Sequence, residues 1–423
     1  MTVPIQVQVV LAGQPDDCKA DTRVMDNMAY GSVPSGHMVW ESVMADLNVV
    51  LDEAVRDKCL PFVVAMVANR DGVTFSGASG DAAPGRAADE TTMFRVLSMT
   101  KAIGSLAAMI LIDRGLLSMD TPVGDILPEW DELPVLTGFD GDTPLLRAQK
   151  TQATVRNLAT HTSGMEYDLF NADIVKYMKV TGHPPVLSGL KKSMMLPLTS
   201  DPGTRFGYGP STDWLGQVVE AVDGRRIDAF CADEIFGPLA MKDATFEIGS
   251  RVDRLADLSV RLPDGSFKTL DMQPKSKPEV YGMGHSLFLS APDYLRFLRM
   301  VLNKGQLDGN RVLSETAMDQ MLADQMNGLE FTKMTSAVSG AADVNFFPGT
   351  KVIHSFAFMR NETDISGKRS AGSQSWAGLA NTHYWIDPAR DVAAVIMTQS
   401  LPFVEAPMLK TYDAFERAVY GGA

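Results

Sequence analysis

Ser98-Met99-Thr100-Lys101 lies where the pattern of apolar residues changes from that of a strand to that of a helix. Before it, Met93 to Leu97 form a short, mostly apolar run. After it, apolar residues recur at the spacing of one helix face, at Ile103, Leu106, Ala107, Ile110 and Leu111. Such a stripe is typical of a helix packed against a core, and Arg114-Gly115 supplies its end. The sequence therefore predicts that Ser98 lies at the N-terminus of a buried helix.

The predicted position of Ser98 favours nucleophilic chemistry. Unpaired N–H groups and the helix dipole stabilise negative charge at a helix N-terminus. Lys101 follows at i+3, so its amine can reach the Ser98 hydroxyl and act as a base. The alternative is that Ser98 only caps the helix and Lys101 is solvated. A second match to the spacing, Ser188-Gly189-Leu190-Lys191, has no apolar strand leading into a helix, and we interpret it as chance.

The composition of the chain limits its possible functions. Its 423 residues are 45% hydrophobic and 21% charged, which is enough for two domains and a large core. A formal net charge of −14 argues against nucleic acid or an anionic membrane as a partner. No stretch approaches the run of about 20 apolar residues that a membrane span needs. We expect a globular protein without a nucleic-acid or membrane partner.

Cysteine and histidine residues form no recognisable ligand pattern. Cys18, Cys59 and Cys231 are odd in number and widely separated, which indicates reduced thiols. The six histidines lack metal-binding spacing. A secretory signal has basic residues before its apolar segment. The apolar run Val3–Leu11 has none before it, so it does not fit such a signal. We therefore predict a cytoplasmic protein with no metal site.

The order of predicted elements indicates an α+β fold in which an antiparallel sheet is flanked by helices. Residues 1–37 form an N-terminal extension with no assigned function. Strand candidates occur on both sides of a proline-rich middle section, so the outer parts should share one sheet. We predict a discontinuous α/β domain of residues 38–115 and 283–423, interrupted by a mainly helical domain of residues 116–282.

Individual elements can be placed in both outer parts. Early in the chain, a helix from Trp40 to Lys58 should precede a hairpin of Phe62–Ala68 and Val73–Gly77. Late in the chain, the predicted elements are strands at Lys351–Met359, Ser373–Ile386 and Val392–Gln399 and a helix from Val404 to Tyr420.

A second chemical element is the loop from Asp201 to Pro210, whose sequence is DPGTRFGYGP. Its glycines and prolines restrict the backbone, and Tyr208 stands just before a predicted helix. A phenol there can pass a proton between the serine and a leaving group. The alternative is a packed tyrosine whose hydroxyl is satisfied.

A third element is Ser375-Trp376-Ala377-Gly378-Leu379, inside a predicted strand. A small residue and a glycine in a strand mark the close approach of another backbone or of a ligand. The N–H group of Leu379 can form an oxyanion hole together with that of Ser98. The alternative is an ordinary β-bulge.

These three elements, in this order, resemble motifs of the serine β-lactamase and penicillin-binding-protein superfamily. The resemblance is specifically to the family VIII carboxylesterases, which are similar to class C β-lactamases, and it extends from about Trp40 to the C-terminus. It implies a β-lactamase-like fold with Ser98 as nucleophile and Lys101 as base, because these residues match the motif Ser-x-x-Lys. Tyr208-Gly209-Pro210 falls where the family has Tyr-x-Asn, and Trp376-Ala377-Gly378 where it has Lys-Thr-Gly.

Two departures from these motifs concern the substrate. A β-lactamase holds the antibiotic's carboxylate with the Lys of Lys-Thr-Gly and its amide with the Asn of Tyr-x-Asn. Trp376 offers only an indole N–H and an apolar face, and the side chain of Pro210 has no donor. Since the similar esterases carry Trp at this position, the resemblance implies an uncharged ester bound by Trp376, Ala377 and Gly378.

We therefore expect a serine carboxylesterase that hydrolyses short-chain neutral esters, with weak activity on cephalosporins. Lys101 and Tyr208 would deprotonate Ser98, and an acyl-enzyme would form without any cofactor. The sequence lacks Gly-x-Ser-x-Gly, the nucleophile elbow of α/β-hydrolases. Alternatives are an acyltransferase or an amide or β-lactam hydrolase on the same scaffold, or a non-catalytic penicillin-recognising protein.

Overall fold

A large antiparallel sheet organises the structure, a computed structural model that describes residues 36–274 and 276–421 and, from residue 46 onward, their side chains. Nearly all of the predicted extension 1–37 lies outside the described residues. The α-helices are α1 (Gly36–Arg56), α2 (Thr100–Asp113), α3 (Val155–Ala159), α4 (Ala172–Thr181), α5 (Ser211–Asp223), α6 (Ile227–Cys231), α7 (Ala291–Leu302), α8 (Glu315–Leu322) and α9 (Ala406–Val419).

The strands comprise those of the large sheet and several short pairs. They are β1 (Phe62–Ala68), β2 (Val73–Ala83), β3 (Arg86–Ala87), β4 (Met93–Arg95), β5 (Val135–Asp140), β6 (Thr143–Arg147), β7 (Ser259–Arg261), β8 (Phe267–Thr269), β9 (Phe288–Ser290), β10 (Gln306–Leu307), β11 (Asn310–Arg311), β12 (Val352–His354), β13 (Met359–Asn361), β14 (Gln374–Gly378), β15 (Thr382–Asp387), β16 (Val392–Met397) and β17 (Ser400–Leu401).

The large sheet has eight strands in the order β12-β13-β14-β15-β16-β1-β2-β3, and neighbouring strands are antiparallel. Strand β1 from the first part of the chain pairs with β16 from the last part, with Val64 opposite Met397. The prediction that the two outer parts share one sheet is therefore confirmed. The fold is α+β, as predicted.

Both faces of the sheet are covered, which explains why β1 is apolar at every position. Val63 and Ala65 pack in the layer formed with α1 and α9. Val64 and Met66 point to the opposite face, where the larger core contains α2 and α7. Successive side chains of a strand alternate between faces, so a strand buried on both sides needs a continuous apolar run.

The middle section, residues 116–282, contains α3 to α6 together with the hairpins β5–β6 and β7–β8. Strand β7 also pairs in parallel with β17 near the C-terminus. The division into a helical domain and a discontinuous α/β domain remains a prediction. Among the described residues, no helix combines the length and the apolar character needed to cross a membrane.

Two long strand predictions were wrong in the same way. Ser373–Ile386 is not one strand but the pair β14 and β15, because the chain turns between Gly378 and Asn381. The Asn381 N–H donates to the Gly378 carbonyl at 2.9 Å, and Asn381 has a left-handed φ of 61°. Asn tolerates that conformation, so the chain can reverse direction at this point. Lys351–Met359 likewise divides into β12 and the start of β13.

Candidate active site

The predicted strand-to-helix switch at Ser98 is present. Strand β4 pairs with β9, a 3₁₀ turn spans Leu97–Met99, and α2 begins at Thr100. Leu97 adopts a left-handed φ of 45°, which is strained for a residue with a branched side chain. This turn places Ser98 at the edge of a cavity while α2 continues into the core.

Ser98 and Lys101 lie within hydrogen-bonding distance, as their spacing predicts. Lys101 Nζ donates to Ser98 Oγ at 3.1 Å. Ser98 is half-buried and lines the cavity, whereas Lys101 is only 4% exposed. The arrangement therefore combines a hydroxyl that a ligand can reach with an amine shielded from water. Their roles as nucleophile and base remain predictions.

The second Ser-x-x-Lys sequence is arranged differently. Ser188 ends a 3₁₀ turn, and its hydroxyl accepts a bond from the Leu190 N–H at 3.3 Å. Lys191 is largely exposed, and its Nζ forms an ion pair with Glu129 at 3.2 Å. The Lys191 amine is therefore paired with a carboxylate and not with Ser188. This agrees with the interpretation that the second Ser-x-x-Lys match arose by chance.

Lys101 has two further partners, neither of which was predicted from the sequence. Its Nζ donates to the Tyr167 hydroxyl at 3.1 Å and to the Gly284 carbonyl at 2.9 Å. Burial raises the pKa of Tyr167, and the negative charge of Asp213 raises it further. Tyr167 therefore stays a neutral phenol that accepts from Lys101. No pattern in the sequence singles out Tyr167 as a site residue.

Tyr208 lies beside this pair, but its hydroxyl has a different partner. The Trp376 indole Nε1–H donates to the Tyr208 hydroxyl at 3.1 Å. Lys101 Nζ is 4.9 Å from the centre of the Tyr208 ring, a distance suited to a cation–π contact. The structure therefore brings Tyr208 to the site. Its hydroxyl is hydrogen-bonded to Trp376 and not to Ser98 or Lys101.

The loops that carry the two tyrosines are joined to each other. The Tyr167 N–H donates to the Tyr208 carbonyl at 3.0 Å. Arg205 forms a bidentate pair with Glu166 at 2.8 and 3.0 Å. Burial alone would raise the pKa of Glu166, but the Arg205 hydrogen bonds hold it below its usual value. Gly209 is needed because a side-chain carbon there would lie 2.3 Å from the Met165 carbonyl oxygen.

Gly378 allows the end of β14 to approach the Ser98 turn. A side-chain carbon at Gly378 would lie 2.3 Å from the Val96 carbonyl oxygen, far inside contact distance. The prediction that this glycine marks a close backbone approach is confirmed. Leu379 follows it in the turn and lines the same cavity as Ser98. The oxyanion hole formed by the N–H groups of Ser98 and Leu379 remains a prediction.

The cavity beside Ser98 is lined mainly by apolar and aromatic side chains. Trp376 and Ala377 contribute to one wall, as predicted for substrate-binding residues, whereas Gly378 lies behind them against Val96. The remaining lining residues are Leu97, Tyr167, Asp168, Leu169, Phe170, Pro185, Val186, Leu187, Tyr208, Gly284, His285, Met334, Leu379 and Phe403. Such a cavity suits a ligand bound mostly by apolar contact.

Comparisons with known proteins point in one direction. The family model described as Beta-lactamase matches residues 48–418. Lovastatin esterase of Penicillium rubens is 30% identical over 330 residues, which cover 74% of this chain and 80% of that protein. Monacolin J acid methylbutanoyltransferase of Aspergillus terreus is 26% identical over 349 residues, covering 78% and 82%. The fold matches a variant of simvastatin synthase from Aspergillus terreus with a TM-score of 0.78 at 24% identity, over 90% of this chain and 97% of that one.

Proposed function

Because the chain belongs to the Beta-lactamase family, we propose that it is a serine esterase that transfers the acyl group of an ester without an anionic group to Ser98 and then to water. The observation that carries the proposal is the hydrogen bond between Lys101 Nζ and Ser98 Oγ beside an apolar cavity. A shielded amine next to a reachable hydroxyl is the arrangement that activates a serine nucleophile.

In the first half of the proposed reaction, the Lys101 amine acts as the base that takes the Ser98 proton as Oγ attacks the ester carbonyl carbon. The negative charge that develops on the carbonyl oxygen is held by the N–H groups of Ser98 and Leu379. The C–O bond to the alcohol then breaks, and the alcohol leaves with the proton. Gly284 and Tyr167 accept the other bonds of the Lys101 amine and so keep it directed at Ser98.

In the second half, water attacks the acyl-enzyme and gives up its proton to the same groups, which releases the acid and restores Ser98. Tyr208 is proposed to carry the proton between Lys101 and the leaving or attacking oxygen. The Trp376 N–H supports this role because a donor on the phenol oxygen stabilises negative charge there. Trp376 would thus be both a cavity wall and a partner of the proton carrier.

Transfer of the acyl group to an alcohol is a second candidate for the same site. It is favoured by the similarity to a protein named as a methylbutanoyltransferase and by an apolar cavity that an alcohol can enter. Both reactions share the acyl-enzyme and differ only in the group that attacks it. The Ser98 chemistry is therefore common to both candidates.

Product analysis separates hydrolysis from transfer. With 4-nitrophenyl butyrate and a series of added primary alcohols, we expect most of the released acyl group to appear as butyric acid, because water reaches the half-buried Ser98. Butyric acid and the alkyl butyrates formed from the added alcohols can be quantified by gas chromatography against a reaction without enzyme. If new esters account for most of the released acyl group at low alcohol concentration, the protein is an acyltransferase.

Trp376 should direct the enzyme towards neutral esters rather than β-lactams. Without a lysine at this position, an anionic β-lactam lacks a charge-assisted contact of about 1.5–3 kcal/mol, roughly a tenfold to hundredfold loss of affinity. We expect high kcat/KM for a neutral short-chain ester, a low value for a cephalosporin and a lower one for a penicillin. An equal or higher kcat/KM for the cephalosporin would show that the role of Trp376 has been misread.

Two substitutions separate the functions of the Trp376 side chain. Trp376→Phe keeps an apolar wall but removes the bond to Tyr208, and should lower ester kcat/KM by about fivefold. Trp376→Lys removes the wall as well and should lower it further, without producing an efficient β-lactamase, because Pro210 still offers no amide contact. Equal activity of Trp376→Phe and the parent would exclude a role for the indole N–H.

A further inference from the structure

The cavity contains one acidic side chain, that of Asp168, among its lining residues. No Lys or Arg of the described residues belongs to the lining. The lining imidazole, that of His285, is buried, which lowers its pKa and favours the neutral form. Several aromatic side chains share the cavity with Asp168, namely Tyr167, Phe170, Tyr208, Trp376 and Phe403.

No cation within the described part of the chain neutralises the Asp168 carboxylate by an ion pair. Burial raises its pKa, while the N–H groups of Leu169 and of Asp168 itself oppose that change. The nearby amine, that of Lys101, is already bonded to Ser98, Tyr167 and Gly284. Asp168 therefore lines the cavity without an ion-pair partner among the described residues.

A second carboxylate lies behind the site and makes its surroundings more negative. Asp213 is 1% exposed and accepts a bond from the Gly284 N–H at 2.6 Å. Asp168 and Asp213 together outweigh the single positive charge that Lys101 can carry. The net charge of −14 for the whole chain has the same sign and adds to the potential at longer range.

We propose that Asp168, with the neighbouring aromatic rings, forms a subsite for an organic cation carried by the ester substrate. A carboxylate attracts a cation by charge, and aromatic faces bind ammonium groups by cation–π contact. The same carboxylate repels a substrate that carries a carboxylate. This inference rests on the proposed esterase function and adds the class of preferred substrate: cationic esters first, neutral esters next and anionic esters last.

Matched substrates test the subsite directly. One series consists of 4-nitrophenyl esters with the same acyl chain ending in trimethylammonium, tert-butyl or carboxylate. The other places the same three ends on the alcohol of acetate esters, so that either side of the ester bond is sampled. In at least one series, kcat/KM for the cationic ester should exceed that for its neutral isostere by about tenfold, and the anionic ester should be poorest.

Asp168→Asn keeps the size of the side chain and removes its charge. This variant should bring the cationic-to-neutral ratio close to one, because loss of the charge lowers kcat/KM of the cationic ester more than that of the neutral ester. The matched control is Asp173→Asn, at an exposed position in the first turn of α4 and outside the cavity lining, which should leave the ratio unchanged. A cationic preference that persists in Asp168→Asn, or one that is absent in the parent in both series, overturns the subsite.

Inhibition of the parent enzyme provides a test that does not depend on a variant. Tetramethylammonium should inhibit neutral-ester turnover at lower concentration than neopentyl alcohol, and added salt should weaken this difference. Equal inhibition by the two compounds would contradict the subsite. Failure of the subsite can be told apart from failure of the esterase proposal. A parent enzyme that turns over neutral esters but does not prefer cationic ones counts only against the role of Asp168.

Discussion

Replacing Ser98 by alanine should lower kcat/KM for a short-chain 4-nitrophenyl ester by about 10⁴-fold or more. The change removes the oxygen that forms the acyl-enzyme but leaves the cavity and the Lys101 contacts to Tyr167 and Gly284 in place. Substrate binding should therefore be largely preserved while turnover is lost. Initial rates of nitrophenol release and the thermal unfolding midpoint of the same preparation measure both effects.

The chain supplies a matched control for this substitution. Ser188 has a lysine three residues later, as Ser98 does, but that lysine pairs with Glu129. Ser188→Ala should retain ester turnover within about twofold of the parent. A parent-like rate in Ser98→Ala, or a collapse of activity in Ser188→Ala alone, would remove the basis for assigning Ser98 as the nucleophile.

Replacing Lys101 by methionine should lower kcat by about 10³-fold, because it removes the proposed base while keeping a side chain of similar length. The substitution also leaves the Gly284 carbonyl and the Tyr167 hydroxyl without their donor, which costs about 1–3 kcal/mol of stability for each buried group left unsatisfied. Circular dichroism should show a folded protein with a lower unfolding midpoint.

Measuring both kcat and the unfolding midpoint of Lys101→Met distinguishes a catalytic base from a lysine that only stabilises the fold. If Lys101 only supports the fold, kcat measured well below the unfolding midpoint should remain within tenfold of the parent. Lys191→Met, at the corresponding position of the second Ser-x-x-Lys sequence, should change neither kcat nor KM. Because Lys191 is largely exposed and bonded to Glu129, its replacement should also have little effect on stability.

Features encoded by local patterns were predictable. The apolar period after Ser98 placed α2, the strand candidates in both outer parts gave the shared sheet, and Gly378 marked a close backbone approach. The resemblance to the serine β-lactamase superfamily, drawn from three short motifs, is confirmed by the family match over residues 48–418. Membership of the family VIII carboxylesterases and a cytoplasmic location remain predictions.

Contacts between distant segments were not predictable. Tyr167 is 66 residues from Lys101, and its loop carries no pattern that distinguishes a site tyrosine from a packed one. The bond from Trp376 to Tyr208 joins residues 168 positions apart, and only the assembled fold shows it. The turn between β14 and β15 was missed because strand-forming residues such as Trp376 and Tyr384 occur on both sides of it, so the two strands were taken as one.

Detection of an acyl group on Ser98 is the most direct test of its proposed role as the nucleophile. Enzyme mixed with a slowly hydrolysed ester is quenched in acid after milliseconds to seconds, and its intact mass and peptides are measured by mass spectrometry. We expect a transient mass increase equal to the acyl group, located on the peptide that contains Ser98 and absent from Ser98→Ala. An acyl group located on another residue, or full turnover with no covalent intermediate at any time, would contradict this role.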